Sequence, residues 1–155
     1  MSHAIILGYD GSGCADGALA AAAAEAARTP GAMVVVVHCY EVPGPYPTPV
    51  GLEPPPYLGT WTDDQHQAVA DAAGGITEQA VARLQELGVA AEGVTAEGRA
   101  SEALIREAAE RDAVMIVVGT HGEGMLAGAL LGSTAYRLVH RSPVPVLIVP
   151  PADHC

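Results

Sequence analysis

The sequence predicts a single-domain α/β fold, in which an open, parallel, five-stranded sheet carries helices on both faces. Two observations support this prediction. Short apolar runs alternate with longer segments of helical composition along the chain, and this order is typical of β-α-β units. Two of the runs, residues 33–37 and 113–118, contain no polar residue. Strands that are apolar on both sides are usually buried on both faces, as in parallel sheets covered by helices.

Composition restricts the partners of this chain. It has 155 residues, of which 50% are hydrophobic, so we expect one domain with a sizeable core. The formal net charge is −11, and the chain contains no lysine. Nucleic acids and acidic membrane surfaces are bound chiefly through lysine and arginine, so we expect neither as a partner.

The amino terminus and the cysteines predict the compartment. Residues 1–7 lack the basic flank of a signal peptide, and no apolar run reaches membrane-spanning length, so we expect a cytoplasmic protein. Cys14, Cys39 and Cys155 form no C-x-x-C pair. The spacing therefore argues neither for a disulfide framework nor for a zinc site, and all three thiols are expected to be reduced.

The chain opens with a strand, a turn and a helix. Apolar residues 5–8 run into a turn at 9–13, whose residue types tolerate tight backbone geometry. The alanine-rich segment 18–27 has high helix propensity. Asp10 and Ser12 both precede it and are both candidate N-caps. On residue type alone, Asp10 is a helix cap or a turn former.

The second strand covers residues 33–37 and ends at His38-Cys39-Tyr40. A lone histidine at a strand end is usually a satisfied structural residue, so we expect no catalytic role for His38.

A proline-rich insertion follows at residues 41–64. Seven of the twelve prolines lie in it, and proline fixes φ and removes backbone donors, which predicts an extended loop. Two interpretations stay open. The segment is either a mobile insertion, or a lid or partner-docking arm anchored by its aromatic residues.

The next helix places apolar residues on one face from Val69 to Leu87 and has Gly88 as its stop signal. Gly74 and Gly75 lie inside it and predict a kink or two helical pieces. A weaker strand candidate follows at residues 89–96.

The last elements alternate in the same way. A helix is predicted at residues 102–111, capped by Ser101. The final apolar run, 145–149, lies between prolines, which suits a strand at the edge of the sheet. An apolar edge rarely stays bare.

A glycine-rich segment, residues 119–134, connects the strand at 113–118 to a short helical pattern. Peptide N–H groups converge on a phosphate only where no Cβ blocks the approach, and the glycines would allow this. Ser133 and Thr134 open the next helix, where unpaired N–H groups and the helix dipole favour an anion. On glycine content alone, however, the segment could equally be a plain flexible connection.

The spacing Gly119-x2-Gly122-x9-Gly132-Ser133 resembles the ATP-binding signature of the universal stress protein family. A Walker P-loop does not fit, because its lysine is absent. The resemblance covers nearly the whole chain except the insertion. It implies one universal stress protein domain over residues 1–155, with a Rossmann-like, adenine nucleotide alpha hydrolase-like fold.

The resemblance also implies an adenine nucleotide site. Asp10 would lie against the nucleotide while still able to cap the helix, and main-chain groups at Cys39 would meet the adenine edge. Arg99 is either a cation at the rim of the pocket or a solvated turn arginine. Many ATP-binding members carry a further hydroxyl at the position of Ala135, a place Thr134 could fill. The residues assigned to the site are Gly8, Tyr9, Asp10, Cys39, Gly98, Gly119, Thr120, His121, Gly122, Glu123, Gly124, Met125, Gly132, Ser133 and Thr134.

Three functions remain open from the sequence. The resemblance implies an ATP-binding regulator without catalytic residues, which takes ATP with magnesium or manganese and forms a homodimer through residues 144–149. The first alternative is an enzyme that hydrolyses ATP or transfers its phosphate, with His121 and Glu123 as the only loop candidates for a base. The second alternative is a structural dimer that binds no nucleotide.

Overall fold

The structure is a computed structural model that describes residues 3–42, 62–120 and 131–151. The strands are β1 (His3–Gly8), β2 (Ala32–Tyr40), β3 (Ala91–Glu97), β4 (Met115–Gly119) and β5 (Val146–Val149). The helices are α1 (Gly13–Arg28), α2 (Asp63–Glu86), α3 (Ala100–Glu110) and α4 (Ser133–Arg141). Strands and helices alternate throughout, as predicted.

The five strands form one parallel sheet in the order β3-β2-β1-β4-β5. This confirms the predicted fold class and places β5 at an edge. The strand order reverses at β1, which pairs with β2 on one side and β4 on the other. In open parallel sheets a crevice forms outside the carboxyl ends of the strands at this reversal. The fold therefore predicts a crevice at the carboxyl ends of β1, β2 and β4.

The core has two layers, one on each face of the sheet. Ile6 faces the layer formed with α3 and α4, whereas Ile5 and Leu7 face the layer formed with α1 and α2. All three side chains are fully buried. Alternate residues of a strand point to opposite faces, so the continuous apolar run of β1 reflects burial on both sides.

Helices α1 and α2 begin at side-chain caps. The Ser12 hydroxyl accepts a hydrogen bond from the Ala15 N–H at 3.2 Å. Thr62 caps α2 in a capping box with Gln65. Helix α2 therefore starts at Asp63, inside the range predicted for the insertion. Most of that predicted loop, residues 43–61, lies outside the described residues.

Two helix predictions are corrected. Helix α3 begins at Ala100, with Arg99 as N-cap and no side-chain cap, so Ser101 is not the cap and lies buried inside the first turn. The start of α3 is set by the chain turn at Gly98, which has a φ of +106°, and not by a cap at Ser101. Helix α2 is continuous through Gly74 and Gly75, since packing of its flanking turns outweighs the low helix propensity of glycine.

The cysteines differ from the expectation. Cys39 is a free thiol, but Cys14 is disulfide-bonded, so the prediction of three reduced cysteines is wrong for Cys14. Sequence spacing does not reveal which cysteines the fold brings together. No helix in the described part of the chain is long and apolar enough to cross a membrane.

Candidate functional site

A cavity of about 390 Å³ lies at the carboxyl ends of β1, β2 and β4, between the first turns of α3 and α4. This volume falls within the range of small-molecule sites. Its lining comprises Gly8, Tyr9, Asp10, Ala15, Val37, His38, Cys39, Ala100, Leu104, Val118, Gly119, Thr120, Gly132, Ser133, Thr134 and Ala135.

Gly8 lets β1 approach β4 and α3 closely at the floor of the cavity. A Cβ on Gly8 would lie 2.9 Å from Val118 Cγ1 and 3.1 Å from a Leu104 methyl group. These distances are too short for ordinary contacts, so a larger residue would displace a cavity wall. Glycine is required at position 8 because a side chain would not fit between the cavity walls. The backbone conformation does not itself require glycine, since the φ of Gly8 is not in the left-handed region.

Asp10 organises the turn after β1. Its Oδ1 accepts hydrogen bonds from the Ser12 N–H at 3.0 Å and from the Ser12 hydroxyl at 2.6 Å. Ser12, and not Asp10, is the N-cap of α1. Asp10 thus holds the cap residue Ser12 in place. The same residue also lines the cavity, where the family resemblance assigns it to ligand contact.

The Tyr9 side chain is committed to the helices on the other face. Its hydroxyl donates to Asp16 Oδ1 at 2.8 Å, and Arg83 lies 2.5 Å from the same oxygen and 3.1 Å from the Tyr9 hydroxyl. Burial and then the Asp16 hydrogen bond raise the pKa of Tyr9, whereas the Arg83 hydrogen bond lowers the pKa of Asp16. The Tyr9 phenol therefore links the end of β1 to α1 and α2, and its hydroxyl is engaged on the face of the sheet away from the cavity.

His38 has a structural partner at the cavity wall. Its Nδ1 lies 2.8 Å from the Tyr9 carbonyl oxygen. A carbonyl only accepts, so Nδ1 carries the hydrogen and donates it. The Tyr9 N–H donates in turn to the Val37 carbonyl at 3.0 Å. These bonds hold the ends of β1 and β2 together.

Cys39 contributes no thiolate. Burial raises the pKa of the Cys39 thiol to about 11, with a smaller opposing influence from Arg106. The thiol is therefore protonated at neutral pH and is a poor nucleophile.

The end of β4 and the start of α4 are joined by backbone bonds. The Thr120 N–H donates to the Val149 carbonyl at 2.9 Å, and the Gly132 N–H donates to the Thr120 carbonyl at 2.7 Å. Gly132 is the N-cap of α4 and provides no side-chain cap. The first N–H groups of α4, at Ser133 and Thr134, therefore open onto the cavity without an intrahelical partner.

Most of the predicted site residues are brought together. Nine line this cavity: Gly8, Tyr9, Asp10, Cys39, Gly119, Thr120, Gly132, Ser133 and Thr134. Gly98 instead lines an adjoining cavity. The remaining residues, His121, Gly122, Glu123, Gly124 and Met125, lie outside the described residues.

Several lining residues were not among the predicted site residues. The apolar ones, such as Leu104 and Val118, carry no chemical signal in the sequence and are recognisable only from the folded packing. Arg137 lines the adjoining cavity and was also missed. The sequence could have indicated Arg137, because it lies one helical turn after Ser133 and therefore on the same face of the predicted helix.

The described residues offer no ready-made metal site. Within residues 3–42, 62–120 and 131–151, no group of three or more His, Cys, Asp or Glu side chains could hold an ion. Mg²⁺ commonly takes only one or two carboxylates and completes its shell with waters and substrate phosphates. Asp10 is the only carboxylate lining the larger cavity within the described ranges.

The open parallel sheet with helices on both faces defines an α/β domain, and the cavity lies at the strand reversal, where domains of this class commonly bind ligands. The model of the universal stress protein family matches residues 1–150, and this chain belongs to that family. A universal stress protein from Thermus aquaticus is 36% identical over 151 residues, covering 96% of this chain and 99% of the relative.

Other relatives are longer. A universal stress protein from Mycobacterium tuberculosis is 31% identical over 153 residues, covering 95% of this chain but 48% of the relative. The chain thus spans about half the length of that protein. Among solved structures, a universal stress protein in complex with cAMP is 25% identical, with a TM-score of 0.66 and 96% of each chain covered.

Proposed function

We propose that this protein is an ATP-binding universal stress protein, a cytoplasmic regulator whose nucleotide state alters its contacts with other proteins. One observation carries the proposal: the uncapped first turn of α4, with Ser133 and Thr134, opens into a cavity at the strand reversal. A helix N-terminus with free N–H groups favours phosphate, and the cavity continues from it over apolar walls.

The lining separates into parts suited to the parts of a nucleotide. Val37, Leu104 and Val118 provide an apolar surface for a base. The Cys39 main chain lies beside it at the end of β2 and is the group that the family resemblance assigns to the adenine edge. The first turn of α4 would take the phosphates. The solved relative in complex with cAMP supports the choice of an adenine nucleotide.

Magnesium or manganese would be held mainly by the nucleotide. The cavity offers the Asp10 carboxylate and the hydroxyls of Ser133 and Thr134, all oxygen ligands of the kind these ions prefer. The chain has no lysine to neutralise phosphate. A metal ion would therefore supply charge that the protein itself lacks.

We propose binding, and not catalysis, as the activity. The Cys39 thiol is neutral at physiological pH and is thus not suited to act as a nucleophile. The hydrogen bond from His38 Nδ1 to the Tyr9 carbonyl fixes the ring in place, and a lone histidine at a strand end is usually structural. Loop candidates His121 and Glu123 lie outside the described residues, and kinetics must test them.

We further propose a homodimer through residues 144–149. β5 occupies the sheet edge, and its four residues are only half-buried. Tyr136 and Val139 on the adjacent α4 are exposed. A terminal apolar edge is protected by pairing with its own copy across a two-fold axis.

The decisive experiment is identification of any nucleotide released when freshly purified protein is denatured, followed by calorimetric titration of ATP into the emptied protein. Ser133→Ala should weaken ATP binding about tenfold, because a hydrogen bond to a charged group is lost. Thr95→Ala, which removes an exposed hydroxyl on β3 that lines neither cavity, is the control. Absence of ATP binding by the parent protein would refute the proposal, and multiple-turnover hydrolysis would favour the enzymatic alternative.

A further inference from the structure

A second cavity of about 330 Å³ adjoins the first. The two share Cys39, Ala100, Ser133 and Thr134, so they form neighbouring compartments of one crevice. The second compartment lies between the first turns of α3 and α4.

Both helices that open onto this compartment lack a side-chain cap. Arg99 is the N-cap of α3 and Gly132 that of α4, and neither makes a side-chain cap hydrogen bond. Helices α1 and α2, in contrast, are capped by Ser12 and Thr62. Two sets of unpaired N–H groups, each at the positive end of a helix dipole, therefore converge on one space.

Ser101 supplies an independent sign that a ligand belongs there. The residue is 4% exposed and lines the compartment. Its hydroxyl makes no hydrogen bond to any residue in the described part of the chain, and no fully enclosed side-chain oxygen in that part lacks a partner. The hydroxyl is therefore open to the compartment that Ser101 lines, as a donor positioned toward the cavity.

Arg137 supplies the charge. It is half-buried, lines the same compartment and forms no ion pair within the described ranges. The other cavity arginine, Arg99, lies 3.8 Å from Glu102 and is 61% exposed. In a chain with a net charge of −11, a half-buried guanidinium without a carboxylate partner is free to bind an anion.

We propose that this compartment is a second anion subsite, which binds a phosphate group through Arg137, Ser101 and the first N–H groups of α3 and α4. The phosphate is either the terminal group of a nucleotide in the adjoining cavity, which rests on the function proposed above, or a free inorganic phosphate. Glu41 lines the same compartment and repels the anion, which keeps its affinity modest.

The test compares four charge or hydroxyl variants by calorimetry. Inorganic phosphate is titrated into the adenosine-saturated protein, and ATP and adenosine are titrated separately. Arg137→Gln and Ser101→Ala should each weaken anion binding about tenfold, as expected for loss of a charge-assisted hydrogen bond. Arg141→Gln removes the same charge one turn later on α4 and should change nothing. Glu41→Gln should strengthen binding.

Comparing the titrations of inorganic phosphate, ATP and adenosine distinguishes the two sources of phosphate. Loss of ATP affinity in Arg137→Gln with unchanged adenosine affinity identifies the nucleotide's terminal group, whereas loss of inorganic phosphate binding alone identifies free phosphate. The subsite is wrong if Arg137→Gln and Arg141→Gln behave alike toward both anions. Phosphate binding by a protein that takes no nucleotide would support the subsite while refuting the nucleotide function.

Discussion

The Nδ1 of His38 lies 2.8 Å from the carbonyl oxygen of Tyr9 and holds the end of β2 against the turn that carries Asp10. We expect His38→Ala to lower the free energy of unfolding by about 1 kcal/mol through loss of this bond. ATP binding should weaken severalfold because the turn loses its anchor. Urea unfolding and calorimetry measure both, with His3→Ala at the exposed start of β1 as control. Unchanged stability would show that the turn holds without His38.

Gly8 predicts a steric requirement at the cavity floor. Gly8→Ala places a methyl group 2.9 Å from Val118 Cγ1 and should destabilise the protein by about 1–3 kcal/mol, as overpacking does. Gly13→Ala is the matched control, since nothing lies within 4 Å of a Cβ there. Thermal unfolding of the pair checks the difference. Equal stabilities would mean that the cavity wall yields freely.

Gly75 offers the opposite prediction. It lies inside the continuous helix α2, has no positive φ and has nothing within 4 Å of a Cβ. Gly75→Ala should stabilise the protein by about 0.5–1 kcal/mol, because alanine restricts the unfolded chain and favours helix. Chemical denaturation measures the gain. A destabilised variant would indicate that the helix depends on backbone freedom at this position.

The Asp16–Arg83 pair predicts a pH dependence. The Arg83 hydrogen bond lowers the pKa of Asp16 below its usual 3.8. A lowered folded-state pKa stabilises the protein above pH 3.8, and this contribution is lost as pH falls through the folded value. Both side chains are 46% exposed, so Asp16→Asn should cost only about 0.5 kcal/mol at pH 7.

Unfolding curves of the parent and of Asp16→Asn should converge below the Asp16 pKa. Arg83→Gln in a double-mutant cycle isolates the pair from the Tyr9 contact. A stability difference that stays constant across the whole acid range below pH 3.8 would assign the effect to packing and not to charge.

β5 predicts where a proline would disrupt a dimer. The carbonyl of Pro145 accepts from the Ile116 N–H in β4, and that of Val149 accepts from the Thr120 N–H just after β4. In this parallel ladder Val146 and Ile148 therefore present their main chain to the open edge. Ile148→Pro should remove an outward donor and shift sedimentation toward monomer while the sheet remains. Circular dichroism confirms the fold. A dimer that survives in a folded variant would locate the interface elsewhere.

The sequence was most informative where periodicity and burial coincide. The fully apolar runs in β1, β2 and β4 predicted a parallel sheet correctly, because strands buried on two faces cannot tolerate polar residues. The sheet also brought Asp10, Cys39 and Ser133 to one cavity, since the carboxyl ends of parallel strands share one edge.

Sequence reasoning failed where tertiary contacts decide. Ser101 has the residue type of an N-cap, yet the left-handed Gly98 starts α3 one residue earlier and buries the serine. The bonded state of Cys14 depends on which segments meet in space. Arg137 lines a cavity only because α3 packs beside α4, a tertiary contact that the sequence does not reveal.

The hydrogen bond from Gly132 to Thr120 has a consequence for engineering. It ties the residues on either side of the glycine-rich segment by main-chain atoms alone, so the tie does not depend on side-chain identity. Closing a longer segment costs little extra, about 0.6 kcal/mol per doubling of length. Segments of different length and composition could thus be exchanged between Thr120 and Gly132, so that ligand selectivity is redesigned as a cassette on an unchanged scaffold.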